Sequence, residues 1–379
     1  MRRNFRHAAA ERACAEPVIV KIELSDHTIG FGETHPRQYV TGESYQDVIN
    51  TIRDVFVPLL VELRPANFGE VIEAAADLPL IDERGRVITA ARAAVELALL
   101  DAYSRALGKS LESVAGYVEE QWLGSQGSRG TVRYGVAVSG MTAERIGPFL
   151  RKVRLGMIRH FKLKVGDADD QPRLEATIRA LRRGLARRTV TLAVDANGAW
   201  SLQEAANKLR RWQNLPITCV EQPLCKEAGE EWAALAKETT LPLMADESLV
   251  TFQDASDLIA HGGASWFNIR ISKNGGLIPA LRLAALARRH NITCQLGCMV
   301  GETSILSAAG RFFLQVVPGV RFAEGSFGRF LLKDDVVRRP LRFTFGGRWR
   351  QISGPGLGID VEPARLRRLA VIPPEEIPF

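Results

Sequence analysis

Thr191-Leu192-Ala193-Val194-Asp195-Ala196-Asn197, Ile217-Thr218-Cys219-Val220-Glu221-Gln222-Pro223 and Leu243-Met244-Ala245-Asp246-Glu247-Ser248 are three short apolar runs, each closing on a carboxylate. The carboxylates of Asp195, Glu221 and Asp246 are separated by 26 and 25 residues, about one strand and one helix with their turns. Neighbouring parallel strands therefore present them at the same height. The strands are read as Thr191–Asp195, Ile217–Glu221 and Leu243–Asp246. Working outward, the same texture recurs at Arg133–Val138 and His160–Val165 on one side, and at Trp266–Ile269, Thr293–Leu296 and Arg321–Glu324 on the other. The segments between them are helical, with Leu174, Ile178, Leu181 and Leu185 forming one stripe. The alternation predicts an α/β chain built on a TIM-type (β/α) barrel, modified, of seven to eight strands.

Before residue 130 the pattern differs. Val18–Leu24 alternates like a strand, and Ile29–Glu33 comes after a turn. Two helical stripes come next, Val48, Ile52, Val55 and Leu59, then Ala91, Val95, Ala98 and Leu99. We expect an α+β capping domain over residues 1–130, the barrel over 131–335, and a C-terminal segment, 336–379, returning to the first domain. Five scattered cysteines, Cys14, Cys219, Cys225, Cys294 and Cys298, do not suggest a disulfide framework. Cys294 and Cys298 lack the further ligands a zinc site needs. No apolar run reaches the ~18 residues of a membrane span. The net charge of +7 resides in clusters such as Arg182, Arg183, Arg187 and Arg188, or Arg365, Arg367 and Arg368. Without interleaved aromatic readers these are solvated helix faces, not a nucleic-acid surface. A cytoplasmic enzyme with no membrane or nucleic-acid partner is the expectation.

Three converging carboxylates repel one another unless a hard cation sits among them, and oxygen-only ligands favour Mg²⁺, with Mn²⁺ also compatible. In His160-Phe161-Lys162-Leu163-Lys164-Val165, alternation turns Lys162 and Lys164 into the barrel. Two such lysines depress each other from ~10.4 toward neutrality, which makes a usable base. Lys273, in Ser272-Lys273-Asn274-Gly275-Gly276, comes after the sixth strand and so from the opposite side of the mouth. A metal on a carboxylate stabilises the enediolate left when the adjacent C–H is deprotonated. Lysines on both faces permit racemisation or epimerisation; one acting alone permits elimination or ring closure.

The ordered Lys-x-Lys, Asp-x-Asn, Glu-Gln-Pro, Asp-Glu-Ser and Lys-x-Gly-Gly signatures resemble the enolase superfamily, specifically its muconate-lactonizing subgroup. The resemblance spans nearly the whole chain and includes Pro355-Gly356-Leu357-Gly358. It implies that Asp195, Glu221 and Asp246 bind Mg²⁺, that Lys164 and Lys273 are the acid/base pair, and that Lys162 tunes Lys164 and contacts a small carboxylate substrate. It further implies a homo-oligomer and a capping loop formed by Gly30–Thr34 and Arg37–Glu43. Substrate contacts are expected from Asn197, Arg270, Tyr39, Met299, Glu302 and Glu324. The departures concern specificity. Arg270 replaces a frequent lysine and offers a planar fork. Residues 297–303 hold one residue more than the usual pattern, and Ala323-Glu324-Gly325 lacks the Asp-x-Asp of dipeptide epimerases. Racemisation or epimerisation of an amino-acid derivative is favoured, ahead of muconate-type cycloisomerisation or o-succinylbenzoate-type dehydration. A Schiff-base aldolase would have little use for three in-register carboxylates. A non-catalytic binder on a decayed barrel would not need the base positions.

Overall fold

A computed structural model of the chain describes residues 5–7, 10–12, 14–122 and 124–377. Strands β1 (Phe5–His7) and β2 (Ala10–Arg12) pair antiparallel, as do β3 (Val18–Glu23) and β4 (Ile29–Thr34). Eight parallel strands come next in sequence order: β5 (Val136–Val138), β6 (His160–Lys164), β7 (Thr191–Asp195), β8 (Cys219–Glu221), β9 (Leu243–Ala245), β10 (Trp266–Ile269), β11 (Thr293–Leu296) and β12 (Phe322–Ala323). The sheet curls until its ends meet at a single parallel bridge between Tyr134 and Ala323, where Gly135 N donates to Ala323 O at 2.8 Å. This is the expected barrel. Its first strand starts later than expected, at Val136, because Tyr134 N donates to Gly347 O instead of continuing a ladder.

Strand alternation builds two interiors. Phe161, Leu163, Leu192, Val194, Val220, Phe267 and Ile269 point outward and are buried in the main core, against the helices. Pointing inward, Ala193, Cys219, Met244, Trp266 and Phe322 form an apolar floor. Two residues further along the same strands stand Asp195, Glu221, Asp246, Asn268 and Glu324. The polar layer therefore rests on a packed plug, so its charges have little water below them.

The helix Thr89–Ala106 is buried along nearly its whole length, because β4, the other N-terminal helices and the barrel helix Leu277–Arg289 pack around it. Gly30 and Gly32 permit this approach: a Cβ at Gly32 would collide with the Ala94 carbonyl, and one at Gly30 with the Ala102 amide. Gly30–Thr34 is thus a strand and not part of a lid loop, which corrects the expected capping loop. The first helical stripe is corrected as well. Val48 and Phe56 are buried, whereas Leu59 is exposed, because a π-turn over Ile52–Phe56 inserts a residue and rotates the face.

Buried carboxylates tie the N-terminal part to the barrel by capping helix N-termini. Glu33 accepts from Thr303 N, Thr303 Oγ1 and Leu306 N, at the start of the helix Ser304–Val316. Glu96 accepts from Leu277 N and Ile278 N, opening the helix Leu277–Arg289. Charge-assisted bonds of this kind contribute roughly 1.5–3 kcal/mol each. The return segment docks on the same long helix: Leu357 N donates to Asp101 Oδ1 at 2.7 Å and Arg105 to the Ile359 carbonyl at 2.7 Å. The basic clusters at Arg182–Arg183 and Arg187–Arg188 are exposed, as expected for solvated faces. Among the described residues no helix is long and apolar enough to cross a membrane.

Glu43 caps the helix Thr89–Ala106 through Ala90 N (2.7 Å) and Ala91 N (3.0 Å). Burial pushes its carboxyl from the ordinary 4.5 up to about 7. A carboxyl raised on folding binds more protons in the folded than in the unfolded chain between those values, so its contribution to stability declines as pH rises from 4.5 to 7. The loss is on the order of 3 kcal/mol. Glu43→Gln is expected to flatten the difference in denaturant stability between pH 5 and pH 8 relative to the parent chain. An unchanged slope in the variant contradicts the assignment.

Candidate active site

The polar layer is organised strand by strand. Lys162 and Lys164 both project inward from β6, paired in register with Ala193 and Asp195 of β7, and Asp195 pairs in turn with Glu221 of β8. Asp246 lies one residue past β9. Gln222 fixes that turn. Its backbone takes the left-handed conformation (φ 38°), its Oε1 accepts from Asp246 N and Ser248 N, and its Nε2 donates to the Leu224 carbonyl. The Glu-Gln-Pro motif therefore positions two carboxylates, its own and that of the next strand.

All three carboxylates have no solvent exposure. Lys162 Nζ donates to Glu221 Oε2 at 2.7 Å and lies 2.8 Å from Glu324 Oε2 and 3.6 Å from Asp195 Oδ2. Lys164 Nζ donates to Asp195 Oδ2 and, at 2.8 Å, to Asn197 Oδ1. Lys273 Nζ, fully enclosed, donates to the Asp246 carbonyl at 2.7 Å, to Asp246 Oδ1 at 3.0 Å and to the Asn268 carbonyl at 2.9 Å. The Arg270 guanidinium is ion-paired with Asp246 Oδ2.

These contacts shift the titrations in opposite directions. Burial disfavours a charged Lys162, yet Glu221, Glu324 and Asp195 outweigh it and hold the ammonium well above its ordinary range. The expected mutual depression by Lys164 is thus overridden by three carboxylates. Lys273 is lowered, by burial first and by Arg270 next. Burial opposes the ionised form of Asp195, but Lys164 and Lys162 hold its carboxyl below the ordinary range. Glu221 is raised by burial and by Asp195.

Glu247 Oε2 and Asn268 Oδ1 are buried oxygens that accept no hydrogen bond, while Asp246 Oδ2 has only the Arg270 ion pair. Such orphaned acceptors, in an all-oxygen set of carboxylates, suit a hard cation. Among the described residues no three acidic, histidine or cysteine side chains already enclose a point for one. The lysines and Arg270 occupy the carboxylate contacts. Asp195, Glu221 and Asp246, the three strand-end carboxylates, each hold an ammonium or guanidinium partner in this arrangement.

Above the layer opens a cavity of about 1040 Å³, lined in its deep part by Lys162, Lys164, Asn197, Glu247, Arg270 and Glu324. Tyr39, Met299 and Glu302 also line it, so all the expected substrate contacts reach it, while Lys273 does not. Tyr39 belongs to the short helix Gln38–Thr41. Beside it Arg37 is buried and donates to the Val300 carbonyl at 3.2 Å, which ties this cover to the loop after β11. In that loop Glu302 Oε2 accepts from Met299 N at 3.3 Å, and burial with nearby Glu33 raises its carboxyl well above the ordinary range. Cys294 is buried and Cys298 part-buried, both as free thiols.

Two residues here escaped the sequence reading. Glu247 lines the cavity and its Oε1 accepts from Asn197 Nδ2 at 3.0 Å. Strict alternation would have turned it outward, but β9 ends at Ala245 and the rule lapses. Asn268 donates to Glu221 Oε1 at 2.7 Å. Its inward parity with Trp266 was the available signal.

Residues 1–116 match the family described as mandelate racemase / muconate lactonizing enzyme, N-terminal domain, and residues 148–365 match the enolase C-terminal domain-like family. Muconate cycloisomerase 1-2 of Acinetobacter lwoffii is 31% identical over 97% of this chain and 91% of its own length. The crystal structure of N-succinyl Arg/Lys racemase from Bacillus cereus superposes with a TM-score of 0.82 at 25% identity, covering 97% of this chain and 94% of that one. The L-Ala-D/L-Glu epimerase of Bacillus subtilis, solved with substrate, gives 0.79 at 27% identity, covering 94% of each chain.

Proposed function

Because the chain belongs to the mandelate racemase/muconate lactonizing enzyme family, and so is an enolase-superfamily isomerase, we propose that it moves the α-proton of a carboxylate substrate, with racemisation or epimerisation of an amino-acid derivative as its reaction. Members of this family depend on a divalent metal. Asp195, Glu221 and Asp246 would hold Mg²⁺, with Mn²⁺ as a substitute, and the cation would supply positive charge to the enediolate. The observation that carries the reading is Lys164: it reaches the cavity from the same layer as the carboxylates.

Lys164 Nζ takes the α-proton on one face of the substrate. Lys162, surrounded by Glu221, Glu324 and Asp195, acts as a fixed cation facing the substrate carboxylate. Asn197 holds Lys164 in place and Glu247 holds Asn197. Lys273 serves the opposite face once its ammonium swings away from the Asn268 carbonyl, a motion its flexible stem allows. Arg270 and Glu302 orient the rest of the substrate, and the cover that carries Tyr39 excludes water. The proposal includes a capping domain over 1–130, a catalytic barrel over 131–335, a return segment over 336–379, and a cytoplasmic homo-oligomer.

A second reading rests on the enclosure of Lys273. If Lys164 acts alone, either it removes the α-proton and the enediolate expels a leaving group, as in a dehydratase, or the remote carboxylate of a muconate adds to the double bond and Lys164 protonates the enediolate so formed, as in a cycloisomerase. Chiral chromatography separates the two. Conversion of each enantiomer of an N-acyl amino acid or dipeptide to the other is the expected result; lactone formation from a muconate without enantiomer exchange supports the one-base reading.

A further inference from the structure

The cavity does not stop at the barrel mouth. Parallel pairing sets Ala137 beside Lys162 on the inner face of β5 and Val136 beside Phe161 on the outer face, yet both Ala137 and Val136 line the same cavity. The space therefore passes the edge of β5 and continues outside the barrel. It does so at the weakest seam, where β5 meets the two-residue β12 at one bridge. The helix after β12, Gly328–Leu331, has only four residues, and the chamber opens between it and the helix Ala143–Leu155 that follows β5. The outer chamber is walled by Phe149, Val153 and Ile158 on one side and by Phe327 and Phe343 on the other. The second wall is a packed aromatic cluster: Phe343 stacks on Tyr134 at 5.8 Å and meets Phe327 edge-on at 5.6 Å. At its outer end stand Lys152 and Arg342, both exposed.

We propose that this chamber receives the remote part of the substrate, an extended apolar arm such as a medium or long alkyl chain, while its carboxylate sits beside Lys162 and Lys164. The inference rests on the α-proton reading for the position of the carboxylate. At about 1040 Å³ the cavity lies at the upper end of the roughly 300–1,000 Å³ that suits a drug-sized ligand, so a short acid leaves most of it unfilled. The apolar walls reward burial of methylenes, and the basic rim admits a solvated or anionic end without desolvating a charge.

Calorimetric binding of butanoate, octanoate and dodecanoate to the Mg²⁺-supplemented protein tests the chamber without requiring turnover. Affinity is expected to rise about fourfold per methylene while the chain remains within the chamber. Val153→Trp, which fills the chamber, is expected to cut the dodecanoate-to-butanoate affinity ratio at least tenfold. Should that variant fail to fold, dodecanoate carrying a terminal diazirine gives the same decision on the parent protein. Cross-links to residues 149–158 or 327–345 support the proposal; affinities independent of chain length, or cross-links confined to the barrel interior or to Tyr39, overturn it. Length-dependent binding with no α-proton exchange on any acid would refute the catalytic reading and leave the chamber standing. Exchange on short acids with flat affinities would do the reverse.

Discussion

Lys164→Ala is expected to lower α-proton exchange by about 10²–10⁴-fold while the protein stays folded and still binds a carboxylate. The fold should tolerate the change, because Asp195 keeps Lys162 at 3.6 Å and the Asn197 amide at 2.9 Å. The loss should fall on kcat more than on KM, since the base is needed only as the C–H bond breaks while Lys162 still faces the carboxylate. Lys162→Ala should behave differently. It removes a cation shared by Glu221 and Glu324, and so should weaken substrate binding as well as turnover. Rates monitored by NMR of the α-proton, with circular dichroism to verify folding, distinguish the two. Exchange unaffected by Lys164→Ala would remove that residue from the mechanism.

Glu221→Gln is the second large effect. Glu221 is the central member of the three strand-end carboxylates, held from both sides by Lys162 and by Asn268. The amide keeps the volume and much of the hydrogen bonding but removes one full negative charge from the set. Divalent cations bind oxygen sites chiefly through such charge. Affinity for Mg²⁺ is expected to fall roughly 100-fold or more, taking metal-supported turnover with it. Lys162 retains Glu324 at 2.8 Å as a partner, so unfolding is not the expected outcome. Calorimetric titration with Mg²⁺ checks this directly, and an unchanged affinity would move the cation elsewhere.

Legibility in the sequence depended on how far each signal relies on long-range packing. Asp195 and Glu221 could be located because a parallel strand repeats at a fixed interval, and the pairing of those two residues realises that interval. Lys162 and Lys164 emerged from alternation within one strand. Alternation failed where strands ended: Glu247 stands just past β9 and turns toward the cavity. The environment of Lys162 was misjudged for another reason. Two neighbouring lysines were in view, but Glu324, 162 residues downstream at the end of β12, lies only two strands away once the sheet closes, and helps hold the ammonium charged. Periodicity also misplaced Leu59, because a π-turn is invisible to a 3.6-residue count. The family resemblance assigns Gly30-Phe31-Gly32 to a capping loop, whereas its glycines serve close packing against a helix more than sixty residues away. The outer chamber had no sequence signal at all. It results from the space left between the short helix Gly328–Leu331 and the helix Ala143–Leu155, which no periodicity records.

The central claim is that this site removes and returns the proton beside a carboxylate. Incubating the protein in D₂O with Mg²⁺ and each enantiomer of an N-acyl amino acid, and monitoring the α-position by NMR, tests it most directly. Mg²⁺-dependent loss of the α-proton signal from both enantiomers, abolished by chelation, is the expected result. An α-proton retained across N-acyl amino acids, dipeptides and muconates, or lost equally well without the metal, would contradict it.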